Sequence, residues 1–158
     1  MAKAAADNSG HKLIAQNKKA RFDYHILETF EAGIVLSGAE IKSVRQGEVS
    51  LAESYVRPEK GEIFLLAAHI KPYSFNADKE YDPVRKRKLL MHKHEIEKLR
   101  GKVEQKGLTI VALRIYLKRG RAKIEIALAK GKDAPDKRQT SKEREAKREI
   151  SRLVKARA

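Results

Sequence analysis

VALRIYLKRGRAKIEIAL, residues 111–128, decides the fold. Val111, Leu113, Ile115 and Leu117 alternate with Ala112, Arg114 and Tyr116, and Ile124, Ile126 and Leu128 alternate with Lys123, Glu125 and Ala127. A period of two sends successive side chains to opposite faces of an extended chain, so each run reads as a strand with one apolar face. Lys118-Arg119-Gly120-Arg121 joins the two runs as a basic hairpin turn. Lys123 points away from Ile124 and Ile126 in this register, which leaves its ammonium for solvent or a phosphate.

The same signals extend upstream. Tyr55 and Val56, then Ile63 to Ile70, are apolar runs separated by Pro58-Glu59-Lys60-Gly61, which predicts two more strands about a turn. Phe22, Tyr24 and Ile26 alternate with Asp23 and His25, and after Glu31-Ala32-Gly33 the chain continues through Ile34, Val35 and Leu36. That pattern predicts an antiparallel hairpin with Glu31 at its turn. Ser37-Gly38-Ala39-Glu40 has the spacing of a capping box, with Ile41 and Val44 on one helical face and Gly47 at the closing cap. Asp82-Pro83 predicts a helix start, and Ile96, Leu99 and Val103 carry helical spacing as far as Gly107, so one or two short helices are expected between Pro83 and Gln105. About six short strands with few helices predict a mainly β fold with short helices, a small closed or nearly closed antiparallel β-barrel.

Three segments follow from these patterns. Residues 1–12 lack periodicity and predict a flexible arm, residues 13–130 hold the core, and residues 131–158 form a basic tail. From Lys130 to Ala158 there are 11 basic and 5 acidic residues. Counted from Ala146, the apolar residues Ile150, Leu153 and Val154 fall on one helical face, although an isolated helix of this length is marginal in water. The tail is expected to be disordered when free and helical against a partner, with Pro135 holding the linker extended and the helix starting after it.

Composition narrows the function. The 158 residues carry 36 Lys+Arg against 21 Asp+Glu, a formal charge of +15 that attracts polyanions, nucleic acid first among them. No segment approaches the roughly 18 to 20 apolar residues of a membrane span, and Met1 to Gly10 has no apolar centre of a secretory signal, so a cytoplasmic protein is expected. Cysteine is absent, which excludes disulfides and thiolate metal sites. His92-Lys93-His94 is the one close histidine pair, and on a helix the two rings would diverge, so no metal site is expected. Phosphate-cradling glycine motifs and clustered carboxylates are also missing, and no catalytic constellation or cofactor is predicted. Basic residues cluster at Asn17-Lys18-Lys19-Ala20-Arg21, at Arg85-Lys86-Arg87-Lys88 and from Lys118 to Lys123. With aromatics at only 6%, backbone and shape recognition of a folded RNA is favoured over base stacking. A structural ribosomal protein would satisfy the same composition.

NKKARFDYHILETFEAGIVLSGAEIKSVRQGEVSLAESY from Asn17, YDPVRKRKLLMHKHEIEKL from Tyr81, AKIEIALAKGK from Ala122 and DKR at Asp136 to Arg138 carry a more specific signal. In order and spacing they resemble the small protein B family, the SsrA (tmRNA)-binding proteins of bacterial ribosome rescue. The resemblance implies a barrel similar to the oligonucleotide-binding fold that holds the tRNA-like domain of tmRNA and stands in for the missing codon–anticodon arm at the small-subunit decoding centre. Trans-translation would then tag the nascent peptide, with no enzymatic step by this chain, which is expected to be a monomer when free. It places RNA-binding positions at Glu31, Leu90 and Lys123, with Asn17, Lys18 and Arg21 beside them. Ribosome contacts map to Gly131, Lys132, Asp136, Lys137 and Arg138, and the stripe of Ile150, Leu153 and Val154 would order against ribosomal RNA. Pro135 stands where many members carry a His or Tyr thought to stack in the decoding centre.

Overall fold

The computed structural model describes residues 11–75, 80–132 and 134–156. The expected N-terminal arm lies outside these residues except for its last two positions. The elements are β1 (His11–Gln16), α1 (Lys18–Asp23), β2 (Tyr24–Ile34), α2 (Gly38–Arg45), β3 (Val49–Ser50), β4 (Tyr55–Glu59), β5 (Glu62–Leu66), β6 (His69–Ile70), β7 (Arg87–Leu90), α3 (Lys93–Lys106), β8 (Thr109–Lys118), β9 (Arg121–Gly131) and α4 (Ala134–Ala156). The main sheet closes on itself. β8 pairs with β4, β4 with β5, β5 with β7, β7 with β2, β2 with β9 and β9 with β8, while β1 adds to β8 and β3 pairs with β6. Every pairing is antiparallel.

Inside the ring, Ile63, Leu65, Leu89, Ile110, Ala112, Ile115, Ile124 and Ile126 meet Val44 of α2 and Ile96 and Leu99 of α3. β8 does not present the single apolar face that its alternation predicts. A bulge shifts the β8–β9 register between Ala112 and Arg114. The extra residue inverts the alternation, so Ala112 and Ile115 both face the core. Val111 and Leu113 turn the other way, into a second cluster with Ala20, Ala127 and Ala129, on which Tyr24 and Ile26 pack. α1 is seated there through Ala20, and Arg114 and Tyr116 face the outer surface of β8 and β9.

Two local readings are overturned. Glu31-Ala32-Gly33 makes no hairpin turn, because β2 runs unbroken to Ile34 and both its edges are occupied. Glu31 opposes Glu125 of β9, and Gly33 opposes both Lys123 of β9 and Leu90 of β7. A glycine signals a turn when it takes a left-handed conformation, as Gly61 and Gly120 do in the β4–β5 and β8–β9 hairpins. Gly33 is absent from the positive-φ glycines and serves as strand. Phe22, expected in that hairpin, lies in α1. Asp82-Pro83 starts no helix either: the Val84 N–H donates to Asp82 Oδ1 at 3.0 Å and the Arg85 N–H to the Asp82 carbonyl at 3.2 Å. This turn feeds β7, because burial of Arg87 and Leu89 draws the following segment between β5 and β2.

Other expectations hold. The capping box is complete, with the Glu40 N–H donating to Ser37 Oγ and the Ser37 N–H to Glu40 Oε1. Ile96 and Leu99 bury the predicted face of α3, and Gly107 closes that helix at φ 61°. The expected helix start after Pro135 does not hold: α4 begins at Ala134, since a proline in the first turn removes an N–H that has no acceptor inside the helix.

Candidate nucleic-acid interface

Asn17 organises the first basic cluster without belonging to its surface. It is 4% exposed. Its Oδ1 accepts the Ala20 N–H at 3.1 Å to cap α1, and its Nδ2 donates to the carbonyls of Leu51 and Ala112, each at 3.0 Å. Its own N–H donates to the Leu113 carbonyl at 2.7 Å. The amide is thus spent inside the protein, and what it presents outward is α1 with Lys18, Lys19 and Arg21. Lys19 lies 3.6 Å from Glu53, and Arg21 lies 3.8 Å from Glu125.

Glu31, Leu90 and Lys123 meet in one open cleft, lined also by Gly33, His92 and Glu95. The β2 register brings them together from three strands. Gly33 has no side chain between Lys123 and Leu90, and a Cβ built there would lie 3.2 Å from Leu90 Cβ. Leu90 is consequently 55% exposed, an apolar wall beside a cation that holds no ion pair among the described residues. Glu31 accepts hydrogen bonds from the Tyr116 hydroxyl and, at 3.4 Å, from Lys118 Nζ. The Tyr116 bond, opposed by burial and helped by Lys118 and Lys123, holds the Glu31 carboxyl below its usual range. Tyr116 itself is pushed up, by burial first and then by Glu31, so its phenol stays a donor. Across the strands Arg114 grips Glu125 at 2.8 Å, so that cation is directed at a carboxylate.

The second basic cluster divides: Arg87 is withdrawn from the surface, while Arg85, Lys86 and Lys88 stay exposed in ion pairs. Arg87 is fully buried: its Nε donates to Glu40 Oε2 at 2.6 Å, Nη1 to the carbonyls of Ala68 and Arg85, and Nη2 to the Tyr81 hydroxyl and the Pro83 carbonyl. Arg85 pairs with the other Glu40 oxygen at 2.5 Å. Burial pulls the Glu40 carboxyl up, but hydrogen bonds from Arg85, the Ser37 N–H and Arg87 outweigh it and bring the pKa to about 2. Lys86 pairs with Glu59 at 2.8 Å and Lys88 with Glu62 at 3.1 Å. His92 precedes α3, so the His92 and His94 rings stack at 5.6 Å instead of diverging, but no group of three or more candidate metal ligands occurs among the described residues.

The family model described as SmpB protein matches residues 14–156. The chain belongs to the SmpB family. It is 54% identical over 146 residues to the SsrA-binding protein of Persephonella marina, covering 92% of this chain and 96% of that protein. Against the SsrA-binding protein of Geobacillus thermodenitrificans the identity is 53%, covering 92% and 94%. A chain of the solved structure "tmRNA-SmpB: a journey to the center of the bacterial ribosome" superimposes with a TM-score of 0.63 at 54% identity, covering 75% of this chain and 84% of that one.

In this SmpB chain the expected tail positions divide. Gly131 ends β9 opposite Tyr24, and the Lys132 N–H donates to the Asp23 carbonyl at 2.9 Å while its Nζ reaches Thr140 Oγ1 at 2.9 Å. Lys137 lies 3.5 Å from Asp23, and Arg144 lies over the Phe22 ring at 5.3 Å. The first turns of α4 therefore rest on α1. Arg138 is exposed, and the Asp136 side chain lies outside the described residues. Ile150, Leu153 and Val154 are each more than 60% exposed. Sequence marks Glu40 only as a capping-box partner and Arg87 only as one of a basic run, and it gives Tyr116 no role. Alternation puts Tyr116 beside Arg114, but nothing local joins it to a carboxylate 85 residues away.

Proposed function

We propose that this protein binds the tRNA-like domain of tmRNA through the Glu31–Leu90–Lys123 cleft and the adjoining cationic end of α1, and delivers it to stalled ribosomes for trans-translation. The observation that carries this reading is the convergence of three residues from β2, β7 and β9 in one cleft, in a chain more than half identical to SsrA-binding proteins. The cleft offers a cation for phosphate, an apolar wall for a sugar or base, and an ionised acceptor for a 2′-OH or a base N–H. Lys18 and Arg21 extend the cationic surface, and Asn17 acts by placing them. The closed strand order supports a small barrel of the oligonucleotide-binding kind. Function is by binding alone, in the cytoplasm. Among the described residues no helix is long and apolar enough to cross a membrane. Gly131, Lys132, Asp136, Lys137 and Arg138 lead α4 toward the small subunit, where Ile150, Leu153 and Val154 gain a fixed place against ribosomal RNA.

Phosphate neutralisation releases counterions, so affinity for a tRNA-like-domain transcript is expected to fall steeply as salt rises. Lys123→Glu replaces a charge-assisted contact by repulsion and is expected to weaken binding by about 1 to 3 kcal/mol. Filter binding of the folded variant checks this, and an unchanged affinity removes Lys123 from the interface. Sequencing the RNA that co-purifies separates the reading from a structural ribosomal role: tmRNA supports it, ribosomal RNA at fixed stoichiometry opposes it.

A further inference from the structure

We infer that Tyr116 is a positioning residue for RNA recognition, holding the Glu31 carboxylate in one orientation at the rim of the cleft. The inference rests on the proposed role of Glu31 as an RNA acceptor and adds the group that makes that role possible.

A carboxylate on a phosphate-binding surface has an electrostatic problem. It repels the backbone it sits beside, and it contributes only if it is aimed at a donor such as a base N–H or a ribose hydroxyl. An exposed glutamate that samples several rotamers pays for ordering on binding and discriminates poorly. Glu31 is half-exposed, on a strand face, and among the described residues no backbone N–H donates to its carboxylate. Its orientation comes from β8: the Tyr116 hydroxyl donates to Oε2 and Lys118 Nζ to Oε1. Each oxygen keeps acceptor capacity for a ligand.

Tyr116 is itself packed in place, and it is 5% exposed, too buried to stack on a base. His11 of β1 stacks on its ring at 5.1 Å and the Arg114 guanidinium lies 5.6 Å from its centroid. Its backbone opposes Lys123 in the β8–β9 register, so one rigid strand pair places both the oriented acceptor's support and the cleft cation. The charged and titratable groups around Glu31 are Tyr116 and Lys118 from β8, Lys123 and Glu125 from β9, and His92 and Glu95 lining the cleft. Glu125 would repel Glu31 from the adjacent strand, but Arg114 and Arg21 occupy it.

The test measures affinity for a tRNA-like-domain transcript at fixed salt for the wild type, Tyr116→Phe, Glu31→Gln and the double variant. Tyr116→Phe keeps the ring and its packing and removes one oxygen. It is expected to weaken binding about three- to tenfold, the scale of one ordinary hydrogen bond, since Tyr116 acts on the RNA only through Glu31. The double variant should bind no more weakly than Glu31→Gln, because Tyr116 acts through Glu31. A carboxyl-carbon NMR titration supplies a signature that general destabilisation does not: the Glu31 resonance should titrate at higher pH in Tyr116→Phe than in the wild type. Wild-type affinity for Tyr116→Phe beside a weakened Glu31→Gln overturns the inference while leaving the Glu31 reading intact, as do additive losses in the double variant. Wild-type affinity for Glu31→Gln overturns both. Should Tyr116→Phe fail to fold, the wild-type titration decides, since an ordinary glutamate value there shows that the bond does not hold the carboxylate.

Discussion

Glu40→Leu is expected to destabilise the protein by about 3 to 5 kcal/mol, the cost of leaving a buried guanidinium without its counter-ion. Arg87 has no route to solvent, and although its remaining N–H groups donate to three carbonyls and the Tyr81 hydroxyl, none of these carries the opposite charge. Glu40→Leu combined with Arg87→Met removes both charges and is expected to regain much of the loss. Urea unfolding of the single and double variants measures this, and a cost below about 1 kcal/mol for Glu40→Leu would show that the pair contributes little. The same carboxylate sets an acid limit. Its folded pKa of about 2 lies below the roughly 4.3 of an unfolded glutamate, so its stabilisation is complete above that unfolded value and is lost as pH falls toward 2. In Glu40→Leu the stability curve should be flatter across that window. On the proposed function the consequence reaches RNA binding, because the cage fixes the turn into β7, and β7 ends at Leu90 in the cleft.

A chain ending at Lys132 is expected to lose peptide tagging down to the level of a reaction without protein, while keeping tmRNA affinity within about fivefold. The strands are complete at Gly131, and a cut at Ala129 would be too short because Lys130 and Gly131 still pair with His25 and Tyr24. What truncation removes from the core domain is a set of surface contacts, Lys137 with Asp23, Arg144 over Phe22 and Thr140 beneath Lys132. Exposed contacts of this kind contribute at most about 1 kcal/mol each. On the proposed function, what it removes from the ribosomal encounter is the whole of α4, with its cations and the exposed Ile150, Leu153 and Val154. Binding assays with the tRNA-like domain and tagging assays with stalled ribosomes separate the two, and a large loss of tmRNA affinity would assign the tail to the first interface. Leu153→Asp in the full chain should behave similarly, sparing tmRNA binding and abolishing tagging. Hydrogen exchange adds a second reading of α4: amides from Thr140 to Val154 that exchange fast in the free protein and slow with ribosomes support ordering on the ribosome, whereas slow exchange in the free protein opposes it.

The amino-acid sequence by itself determined what depends on neighbours a few residues apart. The β8–β9 hairpin was legible because alternation and a basic glycine turn are local signals, and so were the Ser37–Glu40 capping box and the Ile96–Leu99 face of α3. Glu31, Leu90 and Lys123 were reached through family resemblance, and their convergence in a cleft could not be read from spacing. Tertiary structure alone decided whether Gly33 turned or continued, because the answer lay in β7 and β9 occupying both edges of β2. It also decided which charges face water. Arg87 and Lys88 are adjacent and equally basic in sequence, yet strand alternation buries one against a glutamate 47 residues away and leaves the other at the surface. A local pattern records propensity and period. The partner that satisfies a buried charge, or aims an exposed one as Tyr116 aims Glu31, is brought into contact only when distant strands pair, and that pairing is cooperative across the whole closed sheet.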